Sequence, residues 1–205
     1  MSAVSQPVTK QQRREETRRK LVGAALSVFA RNGYERATVD EVVREAGFSK
    51  GAFYVHFESK EDLFWQMLEE RIATQQEALR RAINIAAPAA ENERRILTAI
   101  FELEKQDPSW PALFMEFAAH AARNEKVRDR LSSLYERWHT FTVEMLKAGQ
   151  AAGKVRLDQD VDLMASVLLA VLEGFLFQSR LAPASVQLDS IVEPLSRLLA
   201  EWLET

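Results

Sequence analysis

The chain contains no cysteine in 205 residues. That excludes disulfides, thiolate metal sites and a cysteine nucleophile, and it suits a reducing compartment. There is no G-x-S-x-G elbow, no phosphate-cradling glycine loop and no H-E-x-x-H pair. The opening "MSAVSQPVTKQQRREETRRK" lacks the apolar run of a signal peptide. The longest apolar stretch, "LMASVLLAVLEGFLF", carries Glu173 and reads as too short to span a bilayer. A single Glu136-x-x-His139 has the spacing of carboxylate di-iron bundles. Such a site needs a second copy and two more glutamates, and Glu116 to His120 has the wrong spacing. The expectation is a cytoplasmic protein that is not an enzyme and takes no metal, no cofactor and no membrane.

Hydrophobic content of 47% and charged content of 28% are ordinary globular values. The net charge of −3 is unevenly spread: residues 1–60 hold eleven Lys/Arg and seven Asp/Glu, a net +4, leaving −7 for the rest. A basic front on an acidic body points to two parts with different partners.

Helical periodicity dominates, with few strand signals and no internal repeat. The patterns predict helices over 9–31, 38–46, 50–55, from Ser59 towards Ile85, and over 91–106, 109–123, 125–152, 160–181 and 189–203. Gly33, Gly47, Pro108, Asn124, Gly153 and Pro183 punctuate them. "TVDE", Thr38 to Glu41, reads as a capping box, and Ser49 as an N-cap.

Residues 38–56 therefore read as helix, tight glycine turn, helix, the form in which the second helix enters the major groove of DNA. The segment "GFSKGAFYVHFESK" supports this. Phe53 and Phe57 face inward. Ser49, Lys50, Gly51 and Ala52 occupy the exposed first turn, with Lys50 in reach of guanine or phosphate. Gly51 permits close backbone approach. Tyr54, His56 and Lys60 offer donors to phosphates, and Thr38 stands at a helix N-terminus suited to an anion. The basic stretch "KQQRREETRRK", with six cations and two acids, is either an arm that reaches DNA or a solvated terminus.

Residues 17–65 resemble the DNA-binding domain of the TetR/AcrR family of transcriptional regulators. The resemblance rests on Phe29, Gly33-Tyr34, Thr38-Val39, Ala46-Gly47, Ser49-Lys50-Gly51, Phe53-Tyr54-x-His56-Phe57 and Ser59-Lys60-Glu61-x-Leu63. It implies an all-α chain of about nine helices. A three-helix DNA-binding domain over 9–60 would precede a ligand-binding and dimerisation domain over 61–205. It further implies a homodimer on a palindromic operator, mostly repressing, and released by a small-molecule effector. DNA contact would fall to Thr38, Ser49, Lys50, Ala52, Tyr54, His56 and Lys60.

In the acidic body, bulky residues on central helices are the candidates for an apolar effector pocket: Trp110, Phe114, Phe117, His120, Trp138, Phe141, Met145, Phe175 and Gln178. The last two helices are apolar on more than one face, which predicts burial on more than one side. A four-helix dimer interface is expected from Val161, Leu168, Val171, Leu172 and Phe175, with Ile191, Leu195, Leu198, Leu199 and Trp202.

Overall fold

The computed structural model describes residues 9–84 and 86–204; Ile85, towards which the fourth helix is expected to run, and Thr205 lie outside them. Among the described residues there are nine helices and no strand. They are α1 (Lys10–Asn32), α2 (Val39–Ala46), α3 (Lys50–Tyr54), α4 (Lys60–Ala82), α5 (Ala89–Gln106), α6 (Trp110–Ala121), α7 (Glu125–Ala151), α8 (Val161–Leu181) and α9 (Leu188–Glu204). The packing divides into two compact units between Glu70 and Arg71, inside α4.

In the first unit, the basic stretch belongs to α1. Thr9 Oγ1 accepts from the Gln12 amide at 3.2 Å, and Gln12 Oε1 accepts from the Thr9 amide at 2.7 Å. This reciprocal cap starts the helix ahead of the cations. Leu21, Ala24, Ala25, Val28 and Phe29 form its buried stripe. Gly33, at φ 75°, ends it in a conformation that β-carbon sterics oppose. Tyr34 then packs its ring edge on Phe64 with centroids 5.1 Å apart. The expected capping box at Thr38 is present, and Gly47 closes α2 in the left-handed region at φ 73°, ψ 30°. The Phe48 amide reaches back to the Val43 carbonyl at 2.9 Å, which satisfies a carbonyl that the helix end leaves open. Phe53 and Phe57 are fully buried, with ring centroids 5.4 Å apart.

In the second unit, α5 lies along α9, α7 along α8, and α6 against α7 and α8. One apolar cluster joins Leu79, Leu97, Ile100, Phe101, Phe141, Leu195 and Leu199. A second joins Val143, Leu146, Met164, Ala165 and Leu203. The loop after α7 is tied to the end of α9 by Arg156 N–H on the Leu203 carbonyl at 2.7 Å.

A buried ion pair joins α4 to α5. Arg71 Nη2 stands 2.6 Å from Glu104 Oε1, with the side chains only 14% and 3% exposed. Gln75 donates to the same oxygen at 3.4 Å. The Arg71 guanidinium lies over the Trp110 ring, 5.0 Å from its centroid. The stretch read as too short for a membrane extends, with its flanks, into the 21 residues of α8. By length and composition that helix is long and apolar enough to cross one.

Candidate functional site

The turn between α2 and α3 sets the second short helix on the surface. Ser49 caps it, its Oγ accepting from the Ala52 amide at 3.2 Å. Phe53 is held inside, so its neighbours are forced out: Tyr54 is 56% exposed and Val55 62%. Tyr54 stands edge-on to Phe53 with centroids 5.3 Å apart, which fixes the direction of its hydroxyl. Lys50 is exposed and pairs with Asp40 of α2 at 2.9 Å. That contact holds its ammonium above the usual lysine range. A solvated pair of this kind contributes little and exchanges readily for another anion. His56 is partly buried; desolvation first, then the Arg14 and Arg18 charges, lower its pKa and favour the neutral ring.

Gly51 carries a separate message. A β-carbon there would meet nothing closer than Ser49 Oγ at 3.6 Å, an ordinary contact. The chain's own packing therefore does not require glycine at 51. The bare backbone suits something that approaches from outside.

Two residues sit differently from expectation. Lys60 turns inward. Its Nζ donates to the carbonyls of Tyr34 at 2.7 Å, Glu35 at 3.1 Å and Ala37 at 3.0 Å. It also lies 4.6 Å from the Tyr34 ring centroid. The turn between α1 and α2 leaves these carbonyls without helical partners, and one ammonium with three donors satisfies them all. Lys60 thus positions α2 rather than presenting a free charge. The Thr38 hydroxyl is likewise engaged, donating to Glu41 Oε2 at 2.9 Å while accepting from the Glu41 amide at 3.3 Å.

The second unit holds a partly open apolar cavity of about 160 Å³. Of the nine pocket candidates, only Trp138, Phe141 and Met145 line it. Trp110 and Phe117 are buried away from it. Phe114 packs towards Tyr135 at 6.5 Å between centroids, His120 lies beside Phe117 at 6.2 Å, Phe175 packs on the central cluster, and Gln178 is exposed. Besides α7 and α8, the cavity is walled by the end of α4 and the residue after it, by α5 and by α9, through Leu79, Ile83, Ile96, Leu97, Ile100, Leu195 and Leu199. The reason is geometric: α5 packs along α9, and the gap lies beneath that contact rather than beside α6. The apolar stripe Ile96, Leu97, Ile100 was the available signal.

The expected dimer residues are also redistributed. Leu168, Val171, Leu172, Leu195 and Leu199 face the cavity. Val161, Phe175, Ile191 and Trp202 pack against the two clusters. Only Leu198 of that set is strongly exposed, at 62%. Because α8 is apolar on more than one face, with polar residues such as Asp162, Ser166, Glu173 and Arg180 on only part of its surface, periodicity did not show which apolar face turns outward. The outward one carries Leu163, Val167, Ala170, Gly174, Phe177 and Leu181, at alternating intervals of four and three. Leu163, Val167, Phe177 and Leu181 are its large exposed members. A β-carbon at Gly174 would meet no atom within 4 Å. Among the described residues, no group of three or more His, Asp or Glu is placed to hold a metal ion.

Comparison with known proteins matches residues 89–204 to the model of the BetI-type transcriptional repressor C-terminal domain, and residues 21–67 to bacterial regulatory proteins of the tetR family. The HTH-type transcriptional repressor DhaR of Mycobacterium sp. (strain GP1) is 28% identical over 182 residues, covering 87% of this chain and 90% of that protein. The structure of Salmonella enterica GusR superposes with a TM-score of 0.78 at 25% identity, covering 97% of this chain and 99% of that one. FadR from Bacillus subtilis, in complex with stearoyl-CoA, shares the fold with a TM-score of 0.77 at 20% identity, covering 90% of this chain and 98% of that one.

Proposed function

Because the chain belongs to the TetR family of bacterial transcriptional regulators, we propose that this DNA-binding repressor acts as a homodimer on a palindromic operator and leaves it when a small apolar or amphipathic molecule enters the second-unit cavity. The observation that carries the DNA-binding part is the outward face of α3. Buried Phe53 and Phe57 anchor a helix whose Lys50, Gly51, Ala52 and Tyr54 are turned to solvent or its edge.

Lys50 supplies a cation for guanine or phosphate, Tyr54 and His56 supply donors to phosphate, and Gly51 lets the backbone close on the duplex. Ala52 offers a methyl contact. Ser49 and Thr38 contribute as helix caps that aim α3 and α2, with their amide ends towards phosphate. Lys60 holds the turn on which α2 rests. DNA-binding and effector-binding parts are assigned to residues 9–60 and 61–205.

One helix-turn-helix reads few base pairs, so specificity requires two. The outward seam of α8, with Leu198 of α9 beside it, supports pairing with a second copy. Its four-three spacing is that of helices packed lengthwise, and Ala170 with Gly174 admits close approach. The same seam explains why so apolar a helix lies on one protomer's surface. For the effector, the apolar lining of the cavity is the support, and the acyl-CoA bound by FadR shows such a ligand in a relative of the same fold.

Lys50→Ala and Tyr54→Phe are each expected to weaken operator binding by about tenfold, the scale of one lost contact, with helicity unchanged. If Lys50 meets phosphate, its loss also reduces the salt slope by about one. Gel-shift titration across salt concentrations measures both. Unaltered affinity in both variants would contradict the assignment of α3.

A further inference from the structure

We propose that the ligand of the second-unit cavity is a protonated amine with a compact apolar body, seated with its ammonium against Glu93. This rests on the reading of that cavity as the effector site. It is carried by a mismatch inside the cavity: an acid with no counterpart.

Four residues interrupt the apolar wall: Asn92, Glu93, Thr142 and Lys154. Two of them are already engaged. Asn92 Oδ1 accepts the Asn84 amide at 2.8 Å, and the Thr142 hydroxyl donates to the Trp138 carbonyl at 3.1 Å. Glu93, which is partly buried, has neither a hydrogen bond nor an ion pair among the described residues. Burial alone pushes its carboxyl up to about 7, with no neighbouring charge contributing. An unpartnered acid in an apolar wall either keeps its proton or acquires a cation.

The surrounding charges leave that place open. On α4, Arg80 lies over the Phe141 ring at 4.8 Å, and Arg81 pairs with Glu77 at 2.8 Å. On α5, Arg95 donates to the Ala82 carbonyl at 2.7 Å, and Arg94 pairs with Glu91 at 3.3 Å. The α8 and α9 walls are leucine and valine. Lys154, on the loop after α7, is the other charged residue of the lining, and it forms no ion pair with Glu93. The Trp138 ring of the lining adds an aromatic surface of the kind that attracts a cation.

Size narrows the class. A cavity of about 160 Å³ is close to the ~150 Å³ that suffices for benzene. One ring with a short arm fits. An anionic ligand would meet a carboxyl in a low-dielectric wall, and a neutral one would leave that carboxyl protonated and unpaired.

Binding is then coupled to proton release. The amine stays charged throughout, whereas Glu93 must ionise. Affinity is therefore full above pH 7 and lost as the pH falls below it. Between pH 8 and 5.5 the ionised fraction, and with it the affinity, drops about thirtyfold.

Calorimetry of the full chain with 2-phenylethylamine, 2-phenylethanol and phenylacetate at pH 8 and 5.5 tests this. The amine is expected to bind at least about tenfold tighter than the alcohol at pH 8 and to lose that advantage at pH 5.5, with phenylacetate weakest. Glu93→Gln should remove both the preference and the pH dependence, while Lys154→Met should preserve them. Thermal melting checks that Glu93→Gln is folded. The native acid binds a proton that the unfolded chain releases, so its ionisation penalises folding increasingly from about pH 4.5 to 7. Glu93→Gln should therefore melt higher than the parent at pH 8, with the gain shrinking towards pH 5. The proposal is overturned by equal binding of the alcohol or phenylacetate, by an amine affinity flat in pH, by a preference that survives Glu93→Gln, or by no binding of any probe. DNA retention measured on the same protein without probe separates this from the regulator reading. Intact retention with any of those failures removes the amine and leaves the regulator.

Discussion

Glu104→Ala is expected to cost about 3–5 kcal/mol, because it strands the buried Arg71 guanidinium. In the parent, Glu104 Oε1 accepts from Arg71 at 2.6 Å and from Gln75 at 3.4 Å. Without it, the nearest acid to Arg71 is Asp107, at 3.8 Å. The pair is also incompletely satisfied: Arg71 Nε and Glu104 Oε2 are buried without partners. Its own net worth is therefore small, and the large cost belongs to breaking it one side at a time. At this chain length the loss corresponds to a fall in Tm of roughly 10 °C. Arg71→Met combined with Glu104→Leu should return most of it, since an apolar pair of similar volume removes both desolvation penalties. Urea titration of Arg71→Met, Glu104→Leu and the two combined closes the cycle. Singles within about 1 kcal/mol of the parent, or a double as unstable as the singles, would show that the pair is not the buried junction its geometry describes.

The second large effect concerns assembly. Val167→Glu with Phe177→Glu places two acids on the outward seam of α8, where the parent residues are 37% and 40% exposed. Both side chains are partly covered within one protomer, so some loss of stability is expected, while helicity, followed alongside, should persist. Two like charges in an apolar helix pair oppose association, so sedimentation at micromolar concentration should shift from dimer to monomer. Operator affinity should then fall by about 10²–10⁴, the factor gained when a second half-site contact becomes intramolecular. Gly174 provides an independent arm. Its β-carbon would meet open space within one protomer. Gly174→Leu should thus leave a monomer unharmed and damage only the pairing. A doubly charged variant that remains a dimer would remove α8 from the interface.

The elements legible in the sequence are those fixed by local chemistry. Thr38 and Glu41 form the reciprocal cap that their spacing implies, and Gly47 ends α2 in the left-handed region. Phe53 and Phe57 occupy the interior that the alternation of aromatic and polar residues requires. Helix boundaries followed for the same reason, since caps and glycines act within one turn. The cavity was less legible because it depends on which helices pack together. Trp110 and Phe117 are as bulky as Trp138 and Phe141, yet α6 closes on α7 and α8 while the gap opens beneath α5 and α9. The faces of α8 were ambiguous for a related reason: a helix apolar on more than one face does not show which of them turns outward. Lys60 shows a third limit. A lysine at the head of a helix reads as a free cation, and only the fold reveals three carbonyls converging on it.

The central claim is that the outward face of α3, presented twice by a homodimer, reads DNA. Selection of bound duplexes from a random pool tests it most directly. The expected result is an inverted repeat with half-sites spaced by whole helical turns, about 10 base pairs or a multiple between centres, whose enrichment is lost with Lys50→Ala and Tyr54→Phe together. Enrichment of a single unrepeated motif, or an enrichment that the double substitution leaves intact, would contradict it.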